Sequence, residues 1–586
     1  MHSKKLAVLG VAGLTALAIP PSVAHASAGK SVTVTVMGTS DLHGNTLNWD
    51  YFKNAEFDDG KGNDVGLAKV STMVGKIRAE RGADHTLLFD SGDTIQGTPL
   101  AYYYAKVEPI TQTGELHPMA RAMNAIGYDA VTLGNHEFNY GLPLLATWIK
   151  QMKAPVLGAN AVDATTGKPA YQPFVIKTMK VRGEKPVRVG VLGLTNPGVA
   201  IWDKGNVEGR LRFDDLVKTA RKWVPVIRGL GADVVVVTAH AGDSGMSSYG
   251  GDLPVENAAA LVGEEVPGVD AVLFGHAHNE VPQRFVTNKA TGRQVLLTEP
   301  AKWGQRLSVL DFTLTKQKGR WTVTGKSSTT LNTNTVAEDP KIVALMKKQH
   351  DTTVGYVNKE VATSKDELLA AESPYKDTPI LDYIQKVQTE TVKKAVAGTA
   401  DANLPVLSIA APFSRTATFP AGPVSIRDMA GLYIYDNTLM AVRLTGAQLK
   451  DYLEYSAKYF AQLAPDAPVD LAKLTNAGNI PDYNYDQLSG VRYEVDIAKP
   501  VGRRITGLSY DGQPVAADQR FVVAINNYRQ SGGGGFPHVS TAPVVYNAQV
   551  EIRQALIDYA TETKVIDSAD FAEANWRLTR DGKPLF

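Results

Sequence analysis

The sequence predicts two α/β domains in series, joined by a helix. Three observations carry that expectation: a length of 586 residues, short apolar runs alternating with helical patterns through the first half, and a restart of that alternation after a polar break near residues 335–360. A chain this long exceeds a single hydrophobic core, and strand–helix alternation is the signature of layered α/β domains that gather ligands beyond their strand ends.

Taken in order, Val32, Val34 and Val36 alternate with Thr33 and Thr35 and lead into Gly38-Thr39-Ser40-Asp41. Thr86 to Phe89, Ala130 to Leu133, Val187 to Leu192, Val234 to Val237 and Ala271 to Phe274 follow as short apolar runs bounded by Gly, Asp or His, which is how buried strands read. Helical patterns fall between them at Leu67 to Arg78, Met119 to Ile126, Phe213 to Ile227 and Pro254 to Val262. The strand reaching Asp311 and Leu314 and the stretch Trp321 to Leu331 predict a closing antiparallel hairpin. Polar Asn332 to Pro340 then gives way to a connecting helix over Lys341 to Tyr356. The pattern resumes at Pro379 to Val396, Val406 to Ala410, Ile426 to Leu432, Leu439 to Leu444, Gln448 to Leu463, Tyr493 to Asp496, Phe521 to Asn526 and Val550 to Thr561. The expected division is a catalytic domain over 30–335, a linker helix over 336–360 and a C-terminal domain over 361–586.

The N-terminus joins Lys4-Lys5, an apolar stretch from Leu6 to Ile19 and a small-residue site at Ala24-His25-Ala26. That tripartite order predicts a secretory signal peptide over 1–26, too short for a membrane span, and hence a periplasmic or extracellular protein with no stable membrane insertion. Cysteine is absent, which excludes disulfides, thiolate ligands and lipidated cysteine. A net charge of +1, with 44% hydrophobic and 21% charged residues, describes an ordinary globular chain without the basic field that nucleic-acid polymers require. A monomer acting on small molecules is expected.

The most specific signal lies at the strand ends. Asp41-Leu42-His43, Gly92-Asp93, Gly134-Asn135-His136-Glu137, His240 and Gly275-His276-Ala277-His278 mostly follow directly on the apolar runs. Of the 11 histidines, five occur in these segments. Each segment alone reads as an ordinary turn or a structural histidine; together, in this order, they predict a two-metal phosphoesterase centre. Two divalent ions about 3.5–4 Å apart need a shared oxygen ligand with flanking nitrogen and oxygen ligands. Asp93, after a glycine turn, suits the shared position. Asp41 and His43, two residues apart on an extended segment, would point the same way and bind one ion together. His276 and His278 could each serve a different ion, Asn135 offers a neutral carbonyl oxygen, and His240 ends a strand on its own. Such mixed ligands suit Zn, Mn, Co or Fe.

This order of motifs resembles the calcineurin-like metallophosphoesterases, and Gly134-Asn135-His136-Glu137-Phe138-Asn139-Tyr140-Gly141 is similar to a secreted bacterial branch of the 5′-nucleotidase family. The resemblance implies a layered α/β-β-α metallophosphoesterase domain followed by an α/β 5′-nucleotidase-type substrate domain. It implies one ion held by Asp41, His43, Asp93 and His278 and a second by Asp93, Asn135, His240 and His276, with water activated between them attacking phosphorus in line. His136 would stand beside the ions and stabilise phosphoryl charge or protonate the leaving sugar oxygen. Where that branch commonly has an aspartate to orient the catalytic histidine, this chain has Asn139, which accepts a hydrogen bond but brings no charge. That substitution is compatible with a cyclic-phosphodiesterase branch, which opens 2′,3′-cyclic nucleotides at the 2′ oxygen and then removes the 3′ phosphate. A 5′-nucleotidase or nucleotide-sugar hydrolase is the alternative within the family; a non-hydrolytic nucleotide-binding surface protein is the alternative outside it.

The second half resembles the family's substrate clamp. Leu432-Tyr433-Ile434-Tyr435-Asp436-Asn437-Thr438 and Asn526-Asn527-Tyr528-Arg529 match its two base-stacking motifs, which implies a nucleobase between Tyr435 and Tyr528 with Asn437 near base or sugar. An aromatic pair grips any base through its π-face at about 1–3 kcal/mol per stacked base. Tyr433 would share a face with Tyr435 on a strand. Gly532 to Gly535 would let backbone amides approach the sugar, and Arg415 is a further candidate for phosphate or ribose.

Overall fold

A computed structural model describes residues 30–249, 251, 253–464 and 466–586; the signal peptide expected over 1–26 lies outside the described residues. Two six-stranded sheets build the first half. One is ordered Arg320–Asn332, Arg306–Gln317, Ser31–Thr39, Thr86–Asp90, Ala130–Thr132, Val156–Leu157, and the other Glu280–Thr287, Gln294–Pro300, Ala271–Phe274, Val234–Ala239, Val187–Leu194, Phe174–Met179. The central strands of each sheet run parallel.

Valine-rich strands with no polar face have to be covered on both sides. Val234 and Val236 join Val34, Val36, Phe89, Leu273 and Phe312 in a core shared by the two sheets, while Val235 and Val237 pack with residues of the helices Leu216–Gly229 and Ala259–Glu265. Period-two alternation thus feeds two cores from one strand, each buried Val or Leu contributing roughly 1.5–3 kcal/mol. Helices Leu67–Arg81, Pro118–Ile126, Leu142–Gln151 and Pro340–Val357 cover the outer face of the first sheet. The layers run helix, sheet, sheet, helix, as expected. Two hydroxyl pairs, Thr132 with Thr238 at 2.6 Å and Thr298 with Ser308 at 2.9 Å, tie the sheets together through the core.

Helix ends in this half carry capping residues. Helix 118–126 starts at Pro118, is capped by the His117 side chain and stops at left-handed Gly127; helix 340–357 starts on an Asp339 cap and Pro340. Two helices differ most from expectation. The helix expected from Pro254 begins at Ala259, because Glu256 is drawn off to the backbone N–H of Ser248 and to His276, holding 253–258 as a loop. The helix expected to reach Leu463 ends at Ser456, followed by a short 3-10 turn, where buried Arg504 takes the carbonyls of Ala457 and Phe460 at 2.7 and 2.8 Å.

In the second half a five-stranded sheet is ordered Gln487–Ser489, Val406–Ala410, Arg520–Asn526, Thr438–Thr445, Val544–Glu551. The strands 438–445 and 520–526 are antiparallel, with Leu439 opposite Asn526. That register places the residues before 438 and those after 526 at one end of the sheet, so the two segments that carry Tyr435 and Tyr528 become neighbours. Thr438 N–H donates to Asn527 Oδ1 at 2.9 Å across the junction.

Phe312 is fully buried between the sheets, so Phe312→Ala is expected to destabilise the N-terminal half by about 3–5 kcal/mol, read as a lower urea midpoint of its unfolding transition.

Candidate metal centre

The parallel strands deliver their carboxyl ends to one place. Ser91 N–H bonds to Thr39 O, Asp41 N–H to Gly92 O at 2.8 Å and His43 N–H to Asp93 O at 2.9 Å, interlocking the loops after the first two parallel strands; His240 N–H bonds to Leu194 O at 2.8 Å in the second sheet. Glu137 locks the third loop to these. Its buried carboxylate accepts the backbone N–H groups of Gly134, Asp93, Thr94 and Ile95 at 2.6, 2.9, 2.5 and 3.3 Å. Gly134 lies so close that a Cβ there would meet the Asp93 nitrogen at 2.5 Å, so only glycine admits Asp93 to the centre.

Two clusters result: Asp41, His43 and His278, and Asp93, His240 and His276. Asp93 stands between them, its Oδ2 lying 2.9 Å from His240 Nε2 and 3.8 Å from His43 Nε2. His278 Nε2 is 3.3 Å from Asp41 Oδ1 and 3.2 Å from His43 Nε2. The two histidines of Gly275-His276-Ala277-His278 therefore serve different clusters, as their spacing suggested. The reason expected for Asp41 and His43 converging was wrong: neither sits on extended backbone. Asp41, His43, Asp93, His276 and His278 all hold left-handed conformations, with φ of 52°, 45°, 59°, 77° and 61°. Each such conformation costs a non-glycine residue on the order of 1–3 kcal/mol, a strain concentrated where side chains must point inward together.

The donor set fits divalent cations. His43 Nδ1 and His240 Nδ1 each face a backbone carbonyl, of Gln96 and Ser91, at 2.9 Å, and His276 Nε2 faces Glu256 at 2.8 Å. Those partners hold the proton on the outer nitrogen and leave the inner one as a lone pair. Asn135 Oδ1 and His240 Nε2 are buried without a hydrogen-bond partner. A histidine lone pair 2.9 Å from a carboxylate oxygen requires a proton or a metal ion between them. Burial opposes charge on His240, yet neighbouring Asp93, Asp41 and Glu137 draw its imidazole up to about 10, which marks a position where positive charge is favoured. Burial holds His43 down to about 3, in the neutral form that ligates.

His136 lies beside the clusters, its Nε2 4.0 Å from Asp93 Oδ2 and its Nδ1 2.6 Å from Asn139 Oδ1. The Asn139 amide in turn donates to Asp203 Oδ1 and Oδ2 at 2.9 and 3.1 Å. Trp202 stacks on His276 with ring centroids 5.6 Å apart.

The same cleft, about 1310 Å³, is lined by His43, Asp93, Asn135, His136, His276 and His278 and by Tyr435, Asn437 and Tyr528 from the second half. Tyr433 is separated from Tyr435 after all. The segment is not a strand, and Tyr433 is buried against Phe413 at 4.4 Å while Tyr435 faces the cleft. Tyr528 rests on Gly533, where a Cβ would meet its ring at 2.5 Å; the glycine run thus seats this tyrosine. Buried Arg529 anchors the turn by pairing with Asp486 at 2.7 Å. Arg415 is not brought to the cleft. Its guanidinium binds Asp482 through two bonds of 2.6 and 2.7 Å and also meets Asn476, which braces the loop bearing cleft-lining Tyr483.

Sequence reasoning missed Asp436. Its Oδ2 accepts from Gln96 Nε2 and Tyr140 Oη of the first half, both at 2.7 Å, and its Oδ1 faces Arg553 Nη1 at 2.7 Å. Gln96 is also the residue whose carbonyl orients His43. Glu256 and Asp203, likewise missed, are isolated acidic residues in loops with nothing in their spacing to mark them.

Residues 34–280 match the family model of calcineurin-like phosphoesterases and residues 359–541 that of the 5′-nucleotidase C-terminal domain. The chain is 35% identical over 96% of its length to the trifunctional nucleotide phosphoesterase protein YfkN of Bacillus subtilis, of which it spans 40%. It is 34% identical over 94% of its length to the 2′,3′-cyclic-nucleotide 2′-phosphodiesterase/3′-nucleotidase of Haemophilus influenzae, spanning 88% of that protein. A Staphylococcus aureus chain whose crystal structure holds alpha-ketoglutarate shares the fold, with a TM-score of 0.74, 24% identity and coverage of 93% of this chain and 100% of that one.

Glu137→Gln is expected to weaken cation binding about tenfold or more and lower Tm, because the amide turns an N–H toward backbone donors. His240→Ala should reduce bound metal from two ions to about one per chain, counted by elemental analysis after equilibration with the metal.

Proposed function

The chain belongs to the calcineurin-like phosphoesterases that carry a 5′-nucleotidase C-terminal domain, and on that footing we propose that it hydrolyses 2′,3′-cyclic nucleotides to 3′-nucleotides and these to nucleoside and phosphate. The observation that carries the proposal is a single cleft holding two metal-type clusters at one wall and the tyrosines Tyr435 and Tyr528 at the other. Relatedness to the Haemophilus influenzae phosphodiesterase/3′-nucleotidase across nearly all of both chains supports this substrate class over 5′-nucleotides.

Two divalent cations bound by Asp41, His43, Asp93 and His278 and by Asp93, Asn135, His240 and His276 would supply an activated water and neutralise the phosphoryl oxygens. The chain does the rest. Tyr435 and Tyr528 hold the base by stacking, Asn437 reaches base or sugar, and a base held in the cleft that also carries the clusters keeps the phosphorus near them. His136 directs Nε2 into the cleft, where it can hold a phosphoryl oxygen or protonate the departing sugar oxygen. A sequence beginning with a secretory-type segment supports action outside the cytoplasm on scavenged nucleotides. Zn, Mn, Co and Fe all suit these ligands.

Phosphate release from 2′,3′-cyclic AMP, 3′-AMP and 5′-AMP, measured side by side, tests the proposal. The first two should dominate, a chelator should abolish both and divalent metal restore them; a dominant 5′-AMP rate would move the chain to the 5′-nucleotidase alternative. Tyr435→Ala is expected to raise KM about tenfold while kcat stays within a few fold, since one stacked face is worth about 1–3 kcal/mol.

A further inference from the structure

The histidine beside the clusters is oriented by an asparagine, and an asparagine side chain is ambiguous. Its carbonyl and amide ends are nearly the same shape, and turned about it would offer N–H groups to His136 Nδ1 instead of an acceptor. A carboxylate at that position has no wrong face. Something must therefore select the orientation of Asn139, and among the described residues Asp203 has the required chemistry. Asp203 is buried, and both its oxygens lie within reach of Asn139 Nδ2, at 2.9 and 3.1 Å. An ionised carboxylate only accepts, so it fixes the amide end toward itself and the carbonyl end toward His136, 2.6 Å away. The turn is pinned from the same loop a second time: Asn206 Nδ2 donates to the carbonyls of Phe138 and Asn139 at 3.0 and 3.1 Å.

We propose that Asp203 is a positioning residue of the hydrolytic reaction, selecting the Asn139 orientation that keeps a proton on His136 Nδ1 and leaves Nε2 as the nitrogen that meets the substrate. Asp203, Asn139 and His136 form a three-membered chain in which the carboxylate stands one residue further from the imidazole than in a direct histidine–aspartate pair. Nδ1 keeps its proton whether the ring is neutral or charged, because its partner can only accept, so every proton exchanged with a substrate passes through Nε2. This inference rests on the hydrolytic reading above; the link from Asp203 to the His136 tautomer can be examined without turnover.

An isosteric exchange tests it. Asp203→Asn alone should lower kcat about 10- to 100-fold with KM within about twofold and two metal ions still bound, the usual scale for a lost outer partner. Asn139→Asp alone should also lower kcat, because it sets two carboxylates against each other at the distance of the present hydrogen bond. The double variant Asn139→Asp/Asp203→Asn restores one acceptor toward His136 and one donor–acceptor pair behind it, and should recover kcat to within about threefold of the original. In zinc-loaded protein with ¹⁵N-labelled histidine, His136 should carry its proton on Nδ1 in the original chain and the double variant, and lose that preference in Asp203→Asn. Full kcat in Asp203→Asn, a double variant no better than that single change, or an unchanged His136 tautomer in Asp203→Asn would overturn the proposal. A chain inactive on every ester of the panel would instead overturn the hydrolytic reading, and the tautomer measurement would still decide the role of Asp203.

Discussion

The metal centre depends on the buried carboxylate of Glu137. Four backbone N–H groups from two loops converge on it, and a buried carboxylate could not stand in an apolar interior without them. Nor could those four donors remain buried without an acceptor. The loops after strands 86–90 and 130–132 are thereby fixed against each other, which sets Asp93 and Asn135 at their separation before any cation arrives. Glu137 offers nothing to a ligand, yet the geometry of the residues that do passes through it.

Around that anchor the centre accumulates unfavourable features that bound cations would offset. Five of the candidate ligands hold left-handed backbone, two inward-facing acceptors lack partners, and histidine lone pairs lie against carboxylates. A chain selected for stability alone would remove each of these. Their concentration in one cleft ties the strain to function. Binding free energy from such cations would then contribute to folding stability as well as to chemistry.

Much of this was legible in the sequence. Apolar runs ending in Asp, Asn or His located the strand ends of both sheets, and the helical patterns from Met119, Lys341 and Pro379 began within one residue of the observed helix starts. The seven candidate ligands and His136 are gathered as the motif order implied. What the sequence hid are contacts made by single residues from distant loops. Glu256 delays the start of one helix because it turns to His276, and Arg504 shortens another through two carbonyls; periodicity carries no trace of a side chain that captures a backbone from elsewhere. Asn139 read in isolation looked like a lost charge, whereas Asp203, distant in sequence, stands directly behind it. Arg415 failed for the opposite reason: a lone arginine advertises an anion, and here the anion is Asp482.

Asp436 has a consequence for how such chains diversify. It is flanked by Tyr435 and Asn437 of the base clamp, and its carboxylate is gripped by Gln96 and Tyr140 of the other half. A recombined second half lacking an acceptor there would leave Gln96 unmoored beneath His43. Lys106 of the first half likewise pairs with Glu551 of the second at 2.8 Å, so an exchanged half would have to keep both acidic partners.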